Sequence, residues 1–270
     1  MSDIIYLVTT YDFIWRAFLA GLMITLCASL LGVSIVLKRL SMIGDGISHI
    51  SFGSIAIATS LGMAPLKLAI PLSVIASIIL FCLSGKRMKG DSGIAVISSG
   101  ALAIGIIMIS YHGSSADMNN YLVGSLYSVT KEDMLISSVL CIAVIACFIF
   151  LYNRIFSITF DEDFSKATGI KGDFYSVILA VLTAVTVVIG MRLMGALLIS
   201  ALVVFPALSA MRVFKSFLAV TICSVVVSIV SFLIGFTLTL ILDAVPTGAC
   251  ITLSNLVIFL FLSAFSYARK

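Results

Sequence analysis

Apolar residues dominate the chain in long runs that short polar interruptions punctuate. The runs are Phe13–Leu37, Gly44–Leu61, Leu68–Leu83, Gly93–Tyr111, Met134–Tyr152, Phe174–Met191, Leu193–Met211, Phe217–Leu242 and Gly248–Tyr267. A helix needs about 20 apolar residues to cross a hydrocarbon layer of roughly 30 Å, and each of these runs meets or approaches that length. The pattern predicts an all-α polytopic membrane protein with about 8–9 transmembrane helices in one domain, residues 1–270. The two runs flanking Arg192 are the ones a broken or re-entrant helix would also produce.

The interruptions carry the basic residues, and those set an orientation. With the N-terminus outside and nine spans, the inner loops receive twelve of the sixteen Lys and Arg residues, among them Lys38, Arg39, Lys86, Arg87, Arg212 and Lys215. That asymmetry favours this topology over its inverse. Two inner segments stand out. Asn153–Asp173 is the longest polar stretch and predicts a short surface helix closed by Gly169. In Pro206–Phe217 the proline is expected to kink or end a helix before Arg212 and Lys215. On the other side, His112–Asp133 is a long polar connection, and Asp243–Gly248 reads as a tight turn. Small residues four apart, at Ala28/Gly32, Ser99/Ala103 and Ala101/Gly105, suit close helix contact.

Composition sharpens the class. Of the 270 residues, 61% are hydrophobic and only 10% charged, against roughly a quarter charged in a soluble domain. The net charge of +4 matters through its location, and no nucleic-acid partner is expected. The N-terminus lacks the basic region of a cleavable signal peptide, so the first run is read as a retained span. All six cysteines lie in or at the edges of apolar runs without a CxxC pair, and they read as small core hydrophobes.

Candidate chemistry concentrates in Gly44-Asp45-Gly46-Ile47-Ser48-His49. Four-residue spacing on a helix puts Asp45 and His49 on one face, where a carboxylate and an imidazole form half of a divalent-metal site. Ionisable groups at bilayer depth cost about 2.5–3.5 kcal/mol by insertion scales and commonly mark an ion path. The competing reading makes Asp45 a helix cap and gives His49 one interhelical hydrogen bond. Ser41, Ser48 and Ser51 are weaker candidates, because membrane serines tend to bond their own helix backbone. His112, Asp117 and Glu132 lie in or beside the outer connection, as entry ligands or as plain solvated residues. Arg192 is expected to snorkel to the headgroups. No P-loop, nucleophile elbow or HExxH motif occurs, so an ATPase would have to be a separate subunit.

These residues resemble a known family. Lys38 through His49, a basic pair followed by Leu-Ser, Gly-Asp and His, is similar to the signature of the membrane permeases of bacterial zinc, manganese and iron ABC importers. Asp117 with Tyr121-Leu122-Val123-Gly124, Met191–Leu198 with Pro206-Ala207, and the Asp243–Gly248 turn resemble further segments of that family in order. At Ser125 the chain departs from the acidic residue or Asn that many relatives carry, which puts an outer-site role there in doubt.

The resemblance implies the type II ABC importer permease architecture and a homodimer working with two ABC ATPase subunits. It also implies an extracytoplasmic metal-binding protein that delivers the ion, and ATP used by the partner subunit. Asp45 and His49 become the expected metal contacts. The ATPase would contact Ala207–Phe217 and Asp161–Gly172. The competing function is an ion-coupled secondary transporter with Asp45 and His49 as a proton or cation relay.

Overall fold

The computed structural model describes residues 12–86, 91–112, 124, 129–242 and 245–268. Within them the chain is helical throughout: α1 Asp12–Leu37, α2 Ile43–Ser60, α3 Pro65–Lys86, α4 Asp91–His112, α5 Lys131–Phe160, α6 Glu162–Ala167, α7 Gly172–Met194, α8 Ala196–Val213, α9 Phe217–Ile241 and α10 Thr247–Ala268. The nine long helices correspond one to one with the nine apolar runs. Seven are both long and apolar enough to cross a membrane. The two others are α2, diluted by its polar residues, and α3, whose apolar part is Pro65–Phe81.

Burial follows from order in the bundle. Helix α1 is central, packed against α5, α7, α8 and α9, and Ala17, Ala20, Ile24, Cys27 and Ala28 are each fully buried along it. Helix α2 sits against α3, α4, α7 and α8. Lipid offers no hydrophobic drive between helices, so close approach of small residues must supply the packing. Gly32 does this for α1 and α8, since a Cβ there would collide with the Val203 carbonyl oxygen. Gly53 does it for α2 and α4 against the Ala101 carbonyl, with Gly105 packed on Gly53 from the other side. Ser99 and Ala103, expected in the same role, instead face outward.

One boundary differs from the expectation, and two that the sequence left open are decided. Helix α5 runs on through Asn153 and Arg154 to Phe160, taking the first part of the stretch read as polar into a helix of 30 residues. Its extra turns are anchored by apolar side chains, with Ile155 and Ile158 almost fully buried. Pro206 does not end its helix, because α8 continues through it to Val213. The runs around Arg192 are two separate helices. Gly195, at φ 90° and ψ 156°, occupies backbone that only glycine enters readily, and the chain reverses there. Gly190 accordingly lies against Ile199, a contact impossible in one continuous helix. The short surface helix is present as α6, followed by Gly169 at φ 80°.

Paired contacts identify the two ends of the bundle. At one, Lys38 Nζ donates to Ser176 Oγ at 3.0 Å, joining the end of α1 to the start of α7. At the other, α5 and α7 meet through Asp133 and Arg192.

A candidate metal-ion path residue pair

The turn that launches α2 is tightly specified. Leu40 N–H donates to the Ile35 carbonyl and Arg39 N–H to the Val36 carbonyl, the hydrogen-bond pattern of a helix C-terminus closed by one left-handed residue. Arg39 takes that place at φ 60°, where glycine is the usual occupant. Met42 then precedes α2 without a side-chain cap, so Asp45 is not the cap residue. It stands in the first turn, where the helix dipole favours an anion.

The neighbouring residues force the orientation of the pair. Gly44 faces Val203 of α8, and a Cβ on Gly46 would lie 2.5 Å from Ile94 Cγ2 of α4. Ile43 and Ile47 are fully buried on that side. Asp45 and His49 therefore project from the opposite flank, together with exposed Met42. His49 Nε2 lies 3.3 Å from Asp45 Oδ2, and the side chains remain 29% and 46% exposed respectively. His49 Nδ1 is buried with no hydrogen-bond partner among the described residues. The serines turn away: Ser48 Oγ donates to the Asp45 carbonyl, and Ser51 bonds the Ile47 carbonyl and Ser73.

One carboxylate and one imidazole converge at a half-open face. Such mixed donors accept zinc, manganese or iron(II). Two ligands fall short of the four a closed zinc site takes, which suits release over storage. Among the described residues no three His, Cys, Asp or Glu side chains gather into a metal cluster.

The outer candidates fare differently. Glu132 is exposed in the first turn of α5, at the bundle end opposite the α1–α2 turn. His112 closes α4, and its side chain lies outside the described residues, as do Asp117 and Ser125 entirely. Gly124 is described: at φ 83° it packs its backbone onto the Met194 carbonyl, where any side chain would clash.

Arg192 does not merely snorkel. Its guanidinium bonds Asp133 Oδ1 at 2.8 Å, and the Asp133 side chain is only 6% exposed. Asp133 Oδ2 also accepts from the Thr130 N–H at 3.1 Å and hydroxyl at 2.7 Å, completing a capping box on α5. The sequence signal was the Thr130-x-x-Asp133 spacing ahead of an apolar run; the partner across the bundle had none.

The two segments expected to meet an ATPase come together in space. Phe217, at the start of α9, packs against Phe156 and Phe160 at the end of α5, with ring centroids 5.5 and 6.1 Å apart. Ser157 and Ser165 hydrogen-bond at 2.7 Å and tie α6 to the same place. Phe164, Phe214 and Leu218 remain exposed around them.

The model of the ABC 3 transport family matches residues 10–266. The chain belongs to the ABC 3 transport family. It is 30% identical over 248 residues to the high-affinity zinc uptake system membrane protein ZnuB of Buchnera aphidicola, covering 91% of this chain and 94% of that protein. It is also 30% identical over 255 residues to the manganese import system permease protein ScaB of Streptococcus gordonii, covering 93% and 90%. Among solved structures it superposes on the chain described as PsaBC from Streptococcus pneumoniae in complex with Fab. The TM-score is 0.86 at 26% identity, with 100% of this chain and 99% of that one covered. As a member of the ABC 3 transport family, the chain is a multi-pass membrane permease, as its motifs implied.

Proposed function

We propose that this permease carries a divalent transition-metal ion, zinc, manganese or iron, across the bacterial cytoplasmic membrane, and that Asp45 and His49 hold the ion in passage. The observation that carries the reading is the pair itself. A carboxylate and an imidazole share one half-open helix flank, 3.3 Å apart, with a buried His49 Nδ1 that has no partner among the described residues. An ordinary structural pair would be covered and fully bonded. The relatives named for zinc and manganese transport support a metal cargo.

The missing ligands come from a second copy or from water. In a homodimer facing along this flank, two Asp–His pairs would complete four-coordination, while exchange with water keeps binding weak enough for release. The basic ends of the helices lie inside and the N-terminus outside. ATP-driven motion enters through a partner ATPase seated on Ala207–Phe217 and Asp161–Gly172. The support is their convergence: the Phe217 aromatic cluster and the Ser157–Ser165 bond link both segments to α5. An extracytoplasmic binding protein would deliver the ion at the opposite end.

The test is radiolabelled metal uptake in cells lacking the native permease, with zinc, manganese and iron(II) competed against one another. Asp45→Ala and His49→Ala are expected to abolish uptake, while the ATPase still co-purifies with each variant. Wild-type flux in either variant would overturn the assignment of the path. Uptake that persists without the ATPase would favour a carrier working alone.

A further inference from the structure

Two serines of α3 spend their hydroxyls on other helices. Ser54 and Thr183 return their protons to carbonyls of their own helices, at Ile50 and Leu179. Ser73 and Ser77, both fully buried, reach across to neighbours instead. Ser73 Oγ lies 2.9 Å from Ser51 Oγ of α2, and Ser77 Oγ donates to the Ala180 carbonyl of α7 at 2.9 Å. Ser51 already gives its one proton to the Ile47 carbonyl at 2.7 Å, so Ser73 is the donor between the two hydroxyls. One turn before Ala180, Ser176 accepts from Lys38 Nζ at 3.0 Å. These bonds close a ring that runs from α2 to α3, from α3 to α7, from α7 to the end of α1, and through the turn at Arg39 back to α2.

The ring bears on the direction in which α2 faces. Ser51 follows His49 by two residues, about 200° around the helix, so its bond holds the flank opposite the Asp–His pair. Close contact at a glycine such as Gly53 sets the distance between helices, whereas a directional hydrogen bond also fixes rotation. Atoms on the surface of a helix lie about 5–6 Å from its axis, so a turn of about 20° would move the Asp45 and His49 donors by about 2 Å. Metal–ligand distances tolerate only about 0.2 Å. Ser77 acts one helix further out. Pro71 removes a bond from the ladder of α3 itself, and the anchor on α7 steadies the helix that carries Ser73. We propose that Ser73 and Ser77 are positioning residues for ion passage, setting through Ser51 the rotation of α2 that aims Asp45 and His49. The inference rests on the assignment of that pair as the ion contact.

The test uses the permease with its ATPase and binding protein in proteoliposomes, reading metal uptake and ATP hydrolysis from one sample. The probe is whichever of radiolabelled Zn²⁺, Mn²⁺ and Fe²⁺ the wild type carries fastest. Ser73→Ala and Ser51→Ala are each expected to lower the ions carried per ATP at least about tenfold, because an ångström of misplacement costs that much or more. ATP hydrolysis should stay within about twofold, since both serines lie outside the two segments proposed to seat the ATPase. The double variant should fall no further than either single one, because both remove the same bond. Ser77→Ala should lower the ratio by less, its effect passing through α3. A wild-type ratio in Ser73→Ala, additive losses in the double variant, or hydrolysis that falls in step with uptake would each overturn the positioning role.

If Ser73→Ala does not assemble, Ser73→Cys decides. It keeps nearly the same size with a weaker donor, and a ratio between those of the wild type and Ser51→Ala is expected, so a wild-type ratio overturns the role. Asp45→Ala runs alongside. Wild-type uptake there would overturn both the path and its positioning, whereas lost uptake there beside a wild-type ratio in Ser73→Ala would overturn the positioning alone.

Discussion

Two acid–base pairs, at different levels of the same bundle, have opposite characters. Asp133 and Arg192 come from different helices at 2.8 Å, and Asp133 is nearly sealed, with Thr130 supplying two further donors. Asp45 and His49 come from adjacent turns of one helix, lie 3.3 Å apart and stay half-open, with one ring nitrogen unpaired among the described residues. The first pair has spent its bonding capacity on joining α5 to α7. The second retains capacity for something that is not in the chain. Satisfied polar groups hold a fold together, and the proposed function draws on the open capacity of the second pair.

The comparison would break most visibly at Asp133. Asp133→Ala removes the carboxylate half of the capping box on α5 and leaves Arg192 without its partner. Breaking a buried pair costs about 3–5 kcal/mol, and because Arg192 is one third exposed the loss should sit near 3 kcal/mol. Unfolding in mixed micelles titrated with dodecyl sulfate measures it. A loss below about 0.5 kcal/mol would mean that the pair is ornamental to stability.

Next in size is the coupling itself. A double-mutant cycle with Asp133→Ala and Arg192→Met should give an interaction of about 1–2 kcal/mol, since the two groups are in contact and one is buried. The same cycle on Asp45→Ala and His49→Ala should give no more than about 0.5 kcal/mol, the usual value for a solvent-accessible i,i+4 pair. Equal couplings would erase the distinction. Thr130→Val comes third: it keeps the ion pair and removes only the hydroxyl of the cap, at about 1 kcal/mol in the same unfolding assay.

The sequence made one of these pairs easy to see and hid the other. Asp45 and His49 are local, so helical periodicity alone put them on one face. Asp133 and Arg192 meet only because α7 returns beside α5, and no local pattern encodes that meeting. Helix positions were legible because lipid demands long apolar runs. Boundaries were less so where apolar residues continue past a charge: Ile155 and Ile158 carry α5 beyond Arg154. The reversal at Gly195 was ambiguous for a related reason. A single glycine can break, bend or interrupt a helix, and the close approach of Gly190 to Ile199 decides among them. The aromatic cluster around Phe217 escaped notice because its rings come from separate helices, each reading as ordinary apolar span.

The smallest expected effect is the most discriminating. Asp45→Ala deletes a carboxylate that makes one long contact to His49 and is 46% exposed, so the fold should lose no more than about 0.5 kcal/mol. The helix N-terminus still favours an acidic residue, which sets the expected sign as slightly destabilising. A structural pair cannot show near-wild-type unfolding together with absent metal uptake, because its removal acts through the fold. Should Asp45→Ala instead cost as much as Asp133→Ala, the carboxylate would be holding α2 in place, and its loss of transport would say nothing about where the ion passes.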